Sequence, residues 1–188
     1  MADQLYLSYR LRGYTENNML RHFEKMLSKF PFSRLSNRSS LLRVNAVSAT
    51  EPPLFEKAYE DPVDLSVLMP AAKEFQAEDC GVQLESYWDL WQFDSEPAVA
   101  PTRVVLACFG PKFEDSEGDH LRIDFGVDSL FLPQPDVANS TVMVQSNIRS
   151  LLHLVKDLDQ SLTVERRRLW TESGENFAAR LQGMLTEA

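Results

Sequence analysis

The segment Glu114-Asp115-Ser116-Glu117-Gly118-Asp119 places four carboxylates within six residues, and carboxylate oxygens are the ligands a hard cation such as calcium takes. The spacing argues against that use. A calcium loop of the EF-hand kind alternates oxygen ligands from its first position, puts glycine sixth and supplies a late bidentate glutamate; here Gly118 is fifth and no matching glutamate follows. The segment is expected to be a solvated hairpin tip. His22, His120 and His153 are the only histidines, they lie far apart, and none sits in an H-E-x-x-H pattern. Strand geometry would allow His120 and Asp124 to share a face and a zinc ion, but no spacing favours it. No metal and no cofactor is assigned.

Nucleophilic chemistry finds no better support. No serine stands in a G-x-S-x-G elbow, and neither Cys80 nor Cys108 has a histidine close in sequence. The seven glycines form neither a G-x-G-x-x-G nor a P-loop pattern, so backbone cradling of phosphate is not expected. No catalytic residue is named, and whether the chain is an enzyme stays open. Arg166-Arg167-Arg168, followed by Trp170, could grip carboxylate or phosphate through guanidinium forks. Three consecutive residues point in different directions on any regular element, however, and Glu165 and Glu172 flank them, so a solvated turn is expected.

The remaining candidate is a surface rather than a motif. Val82, Leu84, Trp88 and Leu90 alternate with Gln83, Glu85, Tyr87, Asp89 and Trp91; Val104, Leu106 and Cys108 alternate with Arg103, Val105 and Ala107; Leu121, Ile123 and Phe125 alternate with His120, Arg122 and Asp124. A period of two with one aliphatic side is the mark of an antiparallel sheet packed on one face and open on the other. On the open side Tyr87, Asp89, Trp91, Arg103, Arg122 and Asp124 form the candidate binding set, joined by Arg10, Arg43, Tyr6, Phe93 and Phe109. Cross-strand ion pairs and arginine stems over rings explain such a face without any ligand. Aromatic and arginine side chains are also the composition of interface hot spots. The functional expectation is therefore a non-enzymatic interaction protein that contacts a protein partner or itself, as a homodimer, through this face. The alternative is a small-molecule-binding or hydrolytic protein with a cleft there for an anionic or aromatic compound. It requires a concave site with perturbed ionisable groups.

The elements that must carry this face are readable. Leu5, Leu7, Tyr9 and Leu11 alternate with Tyr6, Ser8, Arg10 and Arg12, which makes the amino terminus a strand and not a secretory signal. Met19, Leu20, Phe23, Met26, Leu27 and Phe30 fall on one helical face, with Thr15 as expected N-cap, Tyr14 and Met19 as a hydrophobic staple, and Pro31 as the stop. The polar side of that helix would expose Asn17, Arg21, His22, Lys25 and Lys29. A second strand around Leu42, Val44 and Ala46 completes a β-α-β start. Residues 50–62 are too proline-punctuated for long regular structure, and a helix follows that begins near Asp64 or at Pro70. After the three-strand core come a helix on Val144, Ile148, Leu151, Leu152, Val155 and Leu158 and a last one over about 175–185, with Leu162 to Thr171 ambiguous between helix and exposed strand. The expectation is one α+β domain over 1–188: a mainly antiparallel five- to six-stranded sheet, helices largely on one face, and Leu5, Leu7, Val44, Leu84, Trp88, Leu106 and Ile123 in the core.

Composition is compatible with this. The chain has 188 residues, 44% of them hydrophobic and 25% charged, which suits one globular domain. Cys80 and Cys108 read as small buried hydrophobes, fitting a reducing compartment. With no run of about 18 apolar residues a membrane span is not expected, and a cytoplasmic location follows by default. A net charge of −9 opposes attraction to nucleic acid or anionic membrane.

Overall fold

The computed structural model describes residues 2–94, 96–174 and 177–186. Seven strands make one sheet: β1 (Gln4–Leu11), β2 (Ser40–Ala46), β3 (Phe55–Tyr59), β4 (Cys80–Gln92), β5 (Ala98–Phe109), β6 (Leu121–Val127) and β7 (Val164–Thr171). Their order is β3-β2-β4-β5-β6-β1-β7, and every neighbouring pair is antiparallel. The helices are α1 (Met19–Lys29), α2 (Leu65–Lys73), α3 (Ser140–Ser161) and α4 (Phe177–Thr186). The α+β class and the β4-β5-β6 meander are as the alternation implies. Strands β1 and β2 do run parallel, but β4, β5 and β6 lie between them, so the β-α-β start is a wide crossover rather than a paired unit.

The sheet exceeds the expected five or six strands because β3 and β7 take its two edges. Edge strands have one free flank and are commonly defended with charge, which hides their alternation. In β3 Glu56 and Lys57 are exposed, and in β7 Glu165, Arg166 and Arg167 are. The arginine run is therefore strand, not turn: Arg166, Arg167 and Arg168 pair with Arg10, Tyr9 and Ser8 of β1.

Leu5, Leu7, Val44, Leu84, Trp88, Leu106 and Ile123 are all buried in one large cluster, and all four helices contribute to it, with Leu68 and Ala72 from α2 and Phe177 and Leu181 from α4. Both cysteines are buried free thiols. The first helix starts later than expected. Asn18, not Thr15, is the N-cap; its side chain accepts from the Thr15 amide and donates to the Gly13 carbonyl, both at 2.8 Å, winding the preceding turn. Tyr14 is no staple: its ring stacks on His120 at 4.1 Å and its hydroxyl donates to the Phe109 carbonyl at 2.8 Å. His22, expected in solvent, is buried on the apolar stripe of α1 with its Nδ1 unpartnered. Helix α2 begins at Asp64, which caps it by accepting from the Ser66 amide, and carries Pro70 inside. Phe93 belongs with the core side, packed against the main cluster.

Candidate functional site

Strand register sets the polar face in rows. From β2 to β7 one row reads Leu41, Glu85, Val105, Asp124, Tyr6, Trp170, and the next reads Arg43, Gln83, Ala107, Arg122, Ser8, Arg168. Tyr87 lies opposite Arg103 and Trp91 opposite Val99 on the β4–β5 arm. Of the six candidate residues, register thus brings Tyr87, Arg103, Asp124 and Arg122 onto neighbouring positions. Asp89 and Trp91 sit further out along the arm. There Asp89 anchors a loop, accepting from the Ser33 hydroxyl and from the Arg34 amide at 2.8 Å. The Trp91 main chain is tied to the Asn147 carboxamide of α3, N–H to Oδ1 at 2.9 Å and Nδ2 to the carbonyl at 3.0 Å.

One end of the face is covered by the acidic loop, which is the reverse of a solvated tip. Phe113 stacks on Phe109 with centroids 5.5 Å apart, and it lies so close over Gly81 that a Cβ there would stand 2.8 Å from its ring. Asp119 is 4% exposed. Its carboxylate accepts from the Ser8 hydroxyl at 2.6 Å, from Arg122 Nε at 2.8 Å and Nη2 at 2.7 Å, and from Arg168 at 3.3 Å. Asp115 accepts from Arg122 at 2.7 Å and Glu117 from Arg168 at 2.9 Å. Burial alone would weaken the protonated state of Arg122, but Asp119 and Asp115 outweigh it and hold its pKa above the usual value. Three of the loop's four acids, Asp115, Glu117 and Asp119, are spent on the sheet's arginines.

The other part of the face is bare. Arg103 pairs with Glu85 at 2.7 Å, largely in solvent, where such a bond contributes under about 1 kcal/mol. Asp124 accepts from the Gly126 amide at 2.8 Å, made possible because Gly126 adopts φ +76° at the bulge between β6 and β1, and the Gln4 carboxamide nitrogen, once its amide is oriented to suit its neighbours, donates to it at 3.3 Å. It takes part in no ion pair among the described residues. Burial pushes its pKa up, and the Gly126 amide, Arg103 and Arg122 only partly oppose this. Beside it the Tyr6 ring stacks on Trp170 at 4.7 Å and the Tyr6 hydroxyl donates to Glu172 at 3.3 Å. Burial first, then the Asp124 and Glu172 charges, push the Tyr6 hydroxyl up to about 12. A hollow of about 240 Å³, floored by Val105 and Ala107, lies between Tyr6, Phe109, Arg103, Arg122 and Asp124.

The sequence reading left Trp170, Arg168, Ser8 and Glu172 out of the candidate set, taking the first two as part of a solvated turn; Ser8 reaches this face on β1, the others on β7 or its exit. The signal was present in the alternation Arg166, Arg168, Trp170 against Arg167, Leu169, Thr171. Among the described residues no group of three or more His, Cys, Asp or Glu is placed to hold a metal ion, and no helix is long and apolar enough to cross a membrane.

Compared with protein-family models, curated proteins and solved structures, the chain has no match.

Proposed function

We propose that this chain is a non-enzymatic interaction protein that self-associates through the open face of its sheet. The observation that carries the reading is the contrast between the two sides of the sheet. The buried side chains of α1 to α4 share one cluster with the aliphatic face, while Tyr6, Tyr87, Trp91, Arg103 and Trp170 keep partial or full exposure outside it. Half-exposed aromatic rings beside arginines are what protein interfaces use as anchors.

The face supports a binding cleft less well. Its central hollow is below the roughly 300–1,000 Å³ typical of small-molecule sites, and the larger one, of about 550 Å³, lies at the β7 border beside Arg168, Trp170 and Glu172, away from the candidate set. The two arginines that line it, Arg103 and Arg122, already hold carboxylates of this chain, leaving little to recognise an anionic ligand. Edge-to-edge association is also disfavoured, because β3 and β7 expose charged side chains at the two borders.

The test is light scattering with size-exclusion chromatography over a hundredfold concentration range, on the natural chain and on Trp170→Ala. A mass that rises toward twice 21.5 kDa, and that falls back in the variant, is the expected result. A monomer at every concentration overturns the self-association reading and turns attention to ligand screening against the hollow.

A further inference from the structure

The open face holds two groups of like charge that its own ion pairs leave unmatched. On the β1–β7 pair Arg10 stands directly opposite Arg166, both exposed, and neither has a carboxylate within ion-pair distance among the described residues. Like charges directly opposite on neighbouring strands are destabilising. Toward the other end of β1, Asp124 of the neighbouring β6 and Glu172 just past the end of β7 gather around the Tyr6 hydroxyl, and neither has an arginine or lysine within that distance among the described residues. Between them lies the row of Ser8, Arg122 and Arg168, whose charges the acidic loop has already neutralised. Tyr6 and Arg10 are four positions apart on β1, so the acidic and basic groups are separated by about 13 Å at the usual rise per strand residue.

That layout is self-complementary. Resting on the self-association reading, we propose that a second copy docks face to face about a twofold axis that runs parallel to the sheet and across its strands, above the open face, passing over β1 between Tyr6 and Arg10. Arg10 and Arg166 of each copy then meet Glu172 and Asp124 of the other. A closed dimer of this kind presents the same patch twice, and rotation about that axis carries the basic end of one copy onto the acidic end of its mate. The row at the axis, where like residues must meet themselves, is already ion-paired within each copy, two arginines against three carboxylates.

A charge-swap cycle in the full chain tests it, read as the dimer dissociation constant from light scattering or sedimentation at low salt. Arg166→Glu and Glu172→Arg are each expected to weaken the dimer by about tenfold or more, since opposed like charges across an interface are strongly unfavourable. The double variant restores the opposite-sign pairing in both symmetry-related contacts, and its dissociation constant returns to within about threefold of the natural chain. Arg166→Glu also places a carboxylate opposite Arg10 within one copy, so a loss of dimer there does not come from a damaged fold; thermal midpoints of all three variants confirm this. If the natural chain dimerises but the single swaps leave the dissociation constant unchanged, or the double variant is as weak as the worse single, the docking geometry is wrong while self-association stands. If the natural chain is monomeric throughout, both fall.

Discussion

Asp119 and Asp124 flank Arg122 on one sheet, and only Asp119 is bonded to it. Around Asp119 the chain has finished its electrostatics: hydroxyl, two guanidinium groups and a second aspartate converge, and a stacked phenylalanine pair closes over them. Around Asp124 it has not, for the carboxylate keeps a backbone amide and the neutral Gln4 carboxamide, takes no cation, and faces a shallow hollow. The same strand thus serves a fold-stabilising end and an unfinished end. What differs is not composition, since both ends mix arginine, carboxylate and ring, but whether a loop of the same chain has supplied the second layer.

Breaking the finished end has the largest effect. Asp119→Ala strips Arg122 and Arg168 of a buried partner; because Arg122 keeps Asp115 and Arg168 keeps Glu117, the cost falls at the low end of that for breaking a buried pair, about 3 kcal/mol. Urea unfolding measures it, and a loss below about 1 kcal/mol would put Asp119 in the same class as Asp124. Next comes Gly81→Ala, which drives a methyl into the Phe113 ring and must lift the loop; overpacking of this kind costs about 1–3 kcal/mol, and faster hydrogen exchange at Phe113 and Glu114 shows where. The effect of pH is smaller and graded. His22 and His120 are both held below the ordinary imidazole range, chiefly by burial and then by nearby cations, and His120 Nδ1 already accepts the Leu11 amide at 2.8 Å. A depressed folded pKa means that the folded state binds fewer protons, so the stability is complete above the unfolded value of about 6.5 and declines as pH falls below it. Urea midpoints between neutral and mildly acidic pH check the sign. Smallest is Asp124→Asn: the raised pKa makes the ionised carboxylate a liability at neutral pH, and the amide can still accept from Gly126, so stability changes by about 0.5 kcal/mol or less, in the stabilising direction.

Much of the architecture was legible because burial on one side imprints a period of two. The β4, β5 and β6 alternations, the α1 and α3 stripes and the core residues Leu5, Val44, Leu84 and Ile123 all follow from it. The edges were not, because β3 and β7 answer to solvent on one flank and spell charge where a central strand spells valine. His22 could have been found: it falls between Met19 and Met26 on the apolar stripe, and polarity alone argued it outward. The fate of the acidic loop could not, since the pairing of Asp115 and Asp119 with Arg122 depends on a chain reversal that local sequence does not encode. In the candidate set Arg103, Arg122 and Asp124 come together, while Asp89 is taken up by the Ser33 loop, a partner distant in sequence.

The Asn147 carboxamide lends the fold one more property. Strand β2 runs beside β4 only as far as Glu85, so the outer half of β4 would offer bare main chain to any passing strand. Ser33 takes the Tyr87 carbonyl and Asn147 takes both polar groups of Trp91, which fills the vacancy with a loop amide and a side chain. A sheet stoppered in this way is closed to further strands at that border, which guards the molecule against growth into fibres along its edge.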